Sequence, residues 1–119
     1  MTFPTISYKY NGNESAKPLA EVVDQKLAAL EKFLSTDADT TCEVEFEKVA
    51  AHNQGRIYRV EANLSVDGTL YRAEATEENF EKAIDEERNE LDRELSRAKD
   101  KQMTLEKQSG REAKEMLNQ

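Results

Sequence analysis

Hydrophobic and polar residues alternate at the start of the chain, with Ile6, Tyr8 and Tyr10 on one side and Thr5, Ser7 and Lys9 on the other. A period of two suits a strand buried on one face, so the pattern predicts a first strand over 5–10. Asn11-Gly12-Asn13 breaks it. From Pro18, whose fixed φ fits an opening helical turn, the period becomes that of a helix. Leu19, Val23, Leu27, Leu30 and Leu34 form its apolar stripe, widened by Val22 and Phe33, with Glu21, Asp24, Glu31 and Lys32 off it. One face of this helix, ending near Ser35, is expected to lie on a sheet. After a polar link over 36–40, alternation returns with Cys42, Val44 and Phe46 inward and Glu43, Glu45 and Glu47 outward. Val49 falls out of step, which leaves two readings open: the strand stops near Lys48, or a bulge resets it.

Past the polar loop His52-Asn53-Gln54-Gly55, the third strand alternates Tyr58, Val60, Ala62, Leu64 and Val66 with Arg59, Glu61, Asn63 and Ser65. Asp67-Gly68 follows directly, a strong hairpin signal because both turn positions take positive φ. A fourth strand over 69–75 is therefore expected to pair antiparallel with the third. Thr76 is expected to cap a last helix, with Glu77 and Glu78 in its first turn and Arg97, Lys99 and Lys101 in its last turns, the charge order that suits the helix dipole. Its stripe is Phe80, Ala83, Ile84, Leu91, Leu95 and Ala98, interrupted by charge near Glu87 and Arg88, and it is expected to run to about Lys101. Residues 102–119 hold Gly110, no aromatic residue and only Met103, Leu105, Met116 and Leu117 as large apolar groups. They read as a mobile charged tail or a frayed helical extension of the 1–101 domain. The order β-α-β-β-β-α makes an α+β fold, a four-stranded sheet with both helices packed on one face. The other face should be wet, its cross-strand charge pairs worth a few tenths of a kcal/mol each.

Composition narrows the function classes. A chain of 119 residues with 37% hydrophobic content suits one domain and argues against a multidomain enzyme. Asp and Glu number 25 against 17 Lys and Arg, and the net charge of -8 disfavours nonspecific coating of DNA or RNA. One cysteine, Cys42, and one histidine, His52, can form neither an internal disulfide nor the usual four-ligand zinc site. There is no basic start leading into an apolar core and no run near eighteen apolar residues, so a reduced cytoplasmic protein without a membrane segment is expected. Glu43, Glu45 and Glu47 could supply an acid-base pair or a hard-metal site, but alternation leaves them solvated, without the burial that separates pKa values. His52 lies in a loop with no nucleophile beside it, and Cys42 shares the inward parity of the core. Glycines at 12, 55, 68 and 110 are too scattered for a phosphate loop. These residues give no catalytic residue, metal or cofactor to expect.

One feature rises above this background. Arg93, Arg97 and Lys101 are spaced by four and climb one flank of the last helix, with Arg88 and Lys99 on a neighbouring flank. From Arg88 to Lys101 five basic residues face the four acids Glu90, Asp92, Glu94 and Asp100, so this end is locally positive in an acidic chain. Lys26 and Lys32 join the surface if the two helices lie side by side. The plainer reading is ordinary ion pairing along the helix, such as Glu90 with Arg93 and Asp92 with Arg97.

The run Phe80-Glu81-Lys82-Ala83-Ile84-Asp85, continued by Leu91-Asp92-Arg93-Glu94-Leu95-Ser96-Arg97 and Lys101, resembles the second helix of the ribosome hibernation factors, once called sigma-54 modulation proteins. Lys26-Leu27-Ala28-Ala29-Leu30-Glu31-Lys32-Phe33 is similar to the family's first-helix ending, and Gly68-Thr69-Leu70-Tyr71-Arg72-Ala73-Glu74-Ala75 to its final hairpin. The resemblance covers about residues 5–101 and rests on the combination rather than on one motif. It implies a protein that binds ribosomal RNA of the small ribosomal subunit, in the channel used by messenger and transfer RNA, and silences idle ribosomes under stress. Such a protein is a plug, not a catalyst, and a monomer off the ribosome. Carried over by position, Arg93, Arg97 and Lys101 match basic places in the second helix, and Lys26 and Lys32 in the first. With Arg88 and Lys99 from the stripe, these seven are the expected RNA-binding residues. Glu90 and Ala29 stand where the family often has lysine, which, with the acidic charge, implies weaker phosphate contacts. The few residues after Lys101 imply a short form without the dimerisation domain of the long forms. The competing reading is an α+β interaction module that binds a protein partner through its acidic sheet face.

Overall fold

The computed structural model describes residues 3–52 and 54–117, with side chains as far as Leu105. The chain runs through β1 (Ile6–Lys9), a 3₁₀ turn (Glu14–Leu19) leading into α1 (Ala20–Ala28), a second 3₁₀ turn (Ala29–Phe33), β2 (Thr40–Lys48), β3 (Tyr58–Val66), β4 (Thr69–Glu77) and α2 (Phe80–Leu117). The four strands lie in the order β1-β2-β3-β4, with β1 parallel to β2 and the other pairs antiparallel. A parallel neighbour needs a crossover, which α1 and its flanking turns supply. The expected α+β fold is the observed one.

Every inward position read from the alternation packs into the core or, for Ile6, Tyr8, Tyr10, Tyr58 and Val66, against it half-buried. Cys42, Val44, Phe46, Val60, Ala62, Leu64 and Ala73 of the sheet pack in one cluster with Val23, Leu27 and Leu30 before β2 and with Phe80, Ala83, Ile84, Leu91 and Leu95 of α2. Phe80 meets Phe46 and Tyr58 edge-on, with ring centroids 5.3 and 5.0 Å away, and so fixes where α2 leaves the sheet. At the hairpin, Asp67 and Gly68 have φ of 49° and 87°, as the Asp-Gly signal requires.

Several boundaries differ from the sequence expectation. Thr76 does not cap α2, because β4 continues to Glu77; Asn79 does, its Oδ1 accepting the Lys82 amide at 2.7 Å. Glu77, expected in the first helical turn, is a buried strand residue beside Arg56 and Lys82. β2 ends at Lys48, and the Val49 amide donates to the Ile57 carbonyl at 2.8 Å to close the following loop, so the strand stops and no bulge resets it. The first helix tightens to 3₁₀ geometry at Ala29. α2 continues past Lys101 as one unbroken helix of 38 residues. The Leu, Glu, Lys, Gln, Arg and Ala of 102–117 are strong helix formers, which suits the continued helix. The expected mobility of 102–119 concerns side chains that, past Leu105, lie outside the described residues.

Candidate nucleic-acid interface

The core seam of α2 runs through Ile84, Leu91 and Leu95, and at 100° per residue it separates the basic side chains into two flanks. Arg93 lies toward β4, lining a shallow groove with Glu74, Glu86 and Glu90, and Arg97 and Lys101 follow it by helical spacing. Arg88 and Lys99 lie on the other side of the seam, toward α1. There Lys26 reaches across to pair with Asp85 of α2, and Lys99 borders a groove with Phe33 and Leu34. The seven expected residues therefore form two surfaces rather than one. Lys26, Lys32, Arg88 and Lys99 belong to the α1 side; Arg93, Arg97 and Lys101 belong to the β4 side.

Most of these cations already have carboxylates. Arg93 pairs with Glu90 at 2.7 Å, as the spacing suggested. Arg97 pairs with Glu94, three residues back, at 3.7 Å rather than with Asp92, which is five residues back and about 140° around the helix; Asp92 instead pairs with Arg88 at 3.5 Å and accepts from the Ser96 hydroxyl at 3.1 Å. Lys32, Lys99 and Lys101 have no ion pair among the described residues; the Lys32 amine lies 5.1 Å from the Phe33 ring centroid. Exposed pairs such as Arg93–Glu90 contribute roughly 0.2–1 kcal/mol, so a phosphate can displace the carboxylate at modest cost.

The opposite face of the sheet is less wet than alternation implies. The register sets Glu45, Glu61 and Glu74 side by side across β2, β3 and β4. Arg59 binds Glu47, Glu61 and Glu74, while Arg72 and Asn63 donate to Glu61 at 2.8 and 3.0 Å. The arginine stems cover the middle of the face and leave Glu61 only 5% exposed. Burial by itself favours the neutral acid there, but the hydrogen bonds from Arg72, Asn63 and Arg59 outweigh it and hold the Glu61 carboxyl at about 2. Glu43, by contrast, is exposed and has no ion pair among the described residues. Cys42 is a buried core thiol that desolvation pushes up to about 12, well away from reactivity.

Glu87 is the residue that the sequence reading missed. It is fully buried on the seam, and neither carboxylate oxygen has a hydrogen-bond partner among the described residues. Its place in the series Ala83, Glu87, Leu91, Leu95, each step four residues, was the signal that could have placed it inward. Among the described residues no group of three or more acidic, histidine or cysteine side chains could hold a metal ion. No helix among them is long and apolar enough to cross a membrane.

Residues 6–103 match the family described as sigma 54 modulation protein / S30EA ribosomal protein. The chain belongs to that family. A ribosome hibernation promotion factor from Deinococcus radiodurans is 33% identical over 106 residues, which cover 87% of this chain and 54% of that protein. The chain thus spans about half the length of this relative. The N-terminal domain of Thermus thermophilus Protein Y has a TM-score of 0.64 at 21% identity, covering 80% of this chain and 98% of that one. A ribosomal subunit interface protein from Coxiella burnetii has a TM-score of 0.59 at 20% identity, covering 79% and 96%. At such identities the two structures show a shared fold, and it is the family match that carries the relationship.

Proposed function

We propose that this family member is a ribosome hibernation factor. It binds ribosomal RNA of the small subunit in the channel for messenger and transfer RNA, silences ribosomes under stress, and performs no catalysis. It acts in the cytoplasm and is a monomer off the ribosome. The observation that carries this reading is the family match over 6–103, which takes in the whole sheet, α1 and the basic stretch of α2. The seven basic residues support it, because each of the two flanks gathers cations that phosphates can engage, and the carboxylates that now pair with Lys26, Arg88, Arg93 and Arg97 can be displaced at modest cost. Arg59 and Arg72 tie down much of the acidic sheet face, which leaves less free charge there to attract a protein partner.

Cosedimentation with small subunits over a salt series tests the proposal. Arg93→Glu, Arg97→Glu and Lys101→Glu together are expected to abolish binding and to relieve inhibition of a translation extract. Glu43→Gln, Glu45→Gln and Glu47→Gln together should change binding little. The reverse pattern would move the site to the sheet face, and a parent protein that never cosediments would end the ribosome reading.

A further inference from the structure

A groove of about 300 Å³ opens where the segment after α1, the β3–β4 hairpin and the middle of α2 meet. Its size is at the lower end of the range of small-ligand pockets, ~300 Å³. Phe33 and Tyr71 line it, both half-buried, so each ring keeps some surface turned to solvent. Leu34, Ala38, Val66, Leu95 and Ala98 complete the apolar lining. Lys99 also lines the groove, and Lys32 stands beside the Phe33 ring; neither lysine has an ion pair among the described residues. Asp67 is the one carboxylate in the lining, and its Oδ1 is already engaged by the Asp39 amide at 2.8 Å. Aromatic surface next to unpaired cations is the combination that holds single-stranded nucleic acid, because bases stack on rings while the backbone phosphates meet the cations.

Building on the ribosomal-RNA reading above, we infer that this groove receives one unstacked base of a single-stranded RNA segment. The base lies against Phe33 and Tyr71, and its flanking phosphates meet Lys99 and Lys32. The inference adds a base-holding slot to a surface otherwise understood through phosphate contacts alone. It is charge complementarity that selects this occupant: a purely apolar partner would leave the Lys99 ammonium in the lining, and the Lys32 ammonium beside the Phe33 ring, without a counter-charge.

The test uses the full chain and a single-stranded RNA hexamer with one 2-aminopurine among uridines, whose fluorescence is quenched when the base stacks. The parent protein is expected to quench the hexamer and to leave the same hexamer in a duplex unaffected. Lys99→Gln should weaken binding several-fold and reduce the salt slope by about one. Phe33→Leu should cost about tenfold in affinity and most of the quenching. Should Phe33→Leu unfold, Ala98→Trp fills the groove from a half-buried position in its lining and should abolish quenching while melting cooperatively. Equal quenching of single strand and duplex, no quenching, or full quenching by both Lys99→Gln and Ala98→Trp would overturn the slot. So would concentration-dependent dimerisation of the parent that Ala98→Trp removes, since the occupant would then be a second copy of the chain. A parent that cosediments with small subunits yet never quenches the hexamer loses the slot and keeps the ribosome reading. A parent that quenches but never cosediments keeps the slot and loses the ribosome.

Discussion

At Glu87 a single side chain sets both a stability cost and a pH response. Burial pushes its carboxyl up to about 8, against the pull of neighbouring Arg88, and it faces the buried Cys42 thiol of β2. Near neutral pH it is mostly a protonated acid whose polar atoms find no partner among the described residues. Replacing a buried, unsatisfied polar group with an apolar one of similar shape removes a penalty of about 1–3 kcal/mol. Glu87→Leu is therefore expected to raise the urea midpoint at pH 7, and a lower midpoint would mean that the acid has a partner worth more than its desolvation. The pH sign follows from where the proton is bound. Between the ordinary value of 4.5 and about 8 the folded chain holds this proton and the unfolded chain does not. Stability therefore falls as pH rises through that window, by at most ~1.4 kcal/mol per pH unit, and is fully present below it. In Glu87→Leu that slope should flatten.

At the level of elements, the register explains why the sheet needs its arginines. Glu45, Glu61 and Glu74 directly abreast would repel one another, and Glu61 cannot escape into solvent. Arg59→Gln leaves Glu61 with Arg72 and Asn63 alone, and it is expected to destabilise the protein by about 1–3 kcal/mol at pH 7. Because Glu61 titrates below its ordinary value, its contribution is present above 4.5 and is lost as pH falls toward 2, so the variant and the parent should converge in acid. Chemical denaturation at pH 7 and pH 3 checks both statements; a deficit that is no smaller at pH 3 would mean that Arg59 acts by packing. This network also marks the limit of what alternation reveals. A period of two assigned Cys42, Val44, Phe46, Val60 and Leu64 to the core correctly, because parity follows from strand geometry. It could not show that arginine stems fold over Glu61, since that depends on the diagonal neighbours that the register creates. Likewise, the helical period found α2 but not its ends: Thr76 and Asn79 are both good caps, and only the length of β4 chooses between them. The two basic flanks of α2 were legible from helical spacing, while which neighbour each meets, β4 for Arg93 and the segment after α1 for Lys99, depends on the packing of the helices on the sheet.

For the whole molecule, binding RNA at a net charge of -8 is a problem of internal competition. Of the seven candidate contacts, Lys32, Lys99 and Lys101 have no ion pair among the described residues to break, whereas Lys26, Arg88, Arg93 and Arg97 must first surrender a carboxylate. Three available cations release few counterions, so the slope of log affinity against log salt should lie near about -2 to -3. Freeing more cations should strengthen binding and steepen that slope together. Glu90→Gln with Glu94→Gln does this without touching the core, because it releases Arg93 and Arg97 and removes two negative charges from the flank itself. Side-chain amides keep the helix propensity of the acids they replace, so the thermal midpoint should hardly move. The double variant is expected to bind small subunits more tightly than the parent at moderate salt, with a slope steeper by about one to two. Filter binding or sedimentation at four or five salt concentrations measures both quantities. Tighter binding with an unchanged slope would assign the gain to lost repulsion alone. Weaker binding by a folded double variant would show Glu90 and Glu94 in contact with the partner, and the β4-side flank of α2 would then face something other than a polyanion.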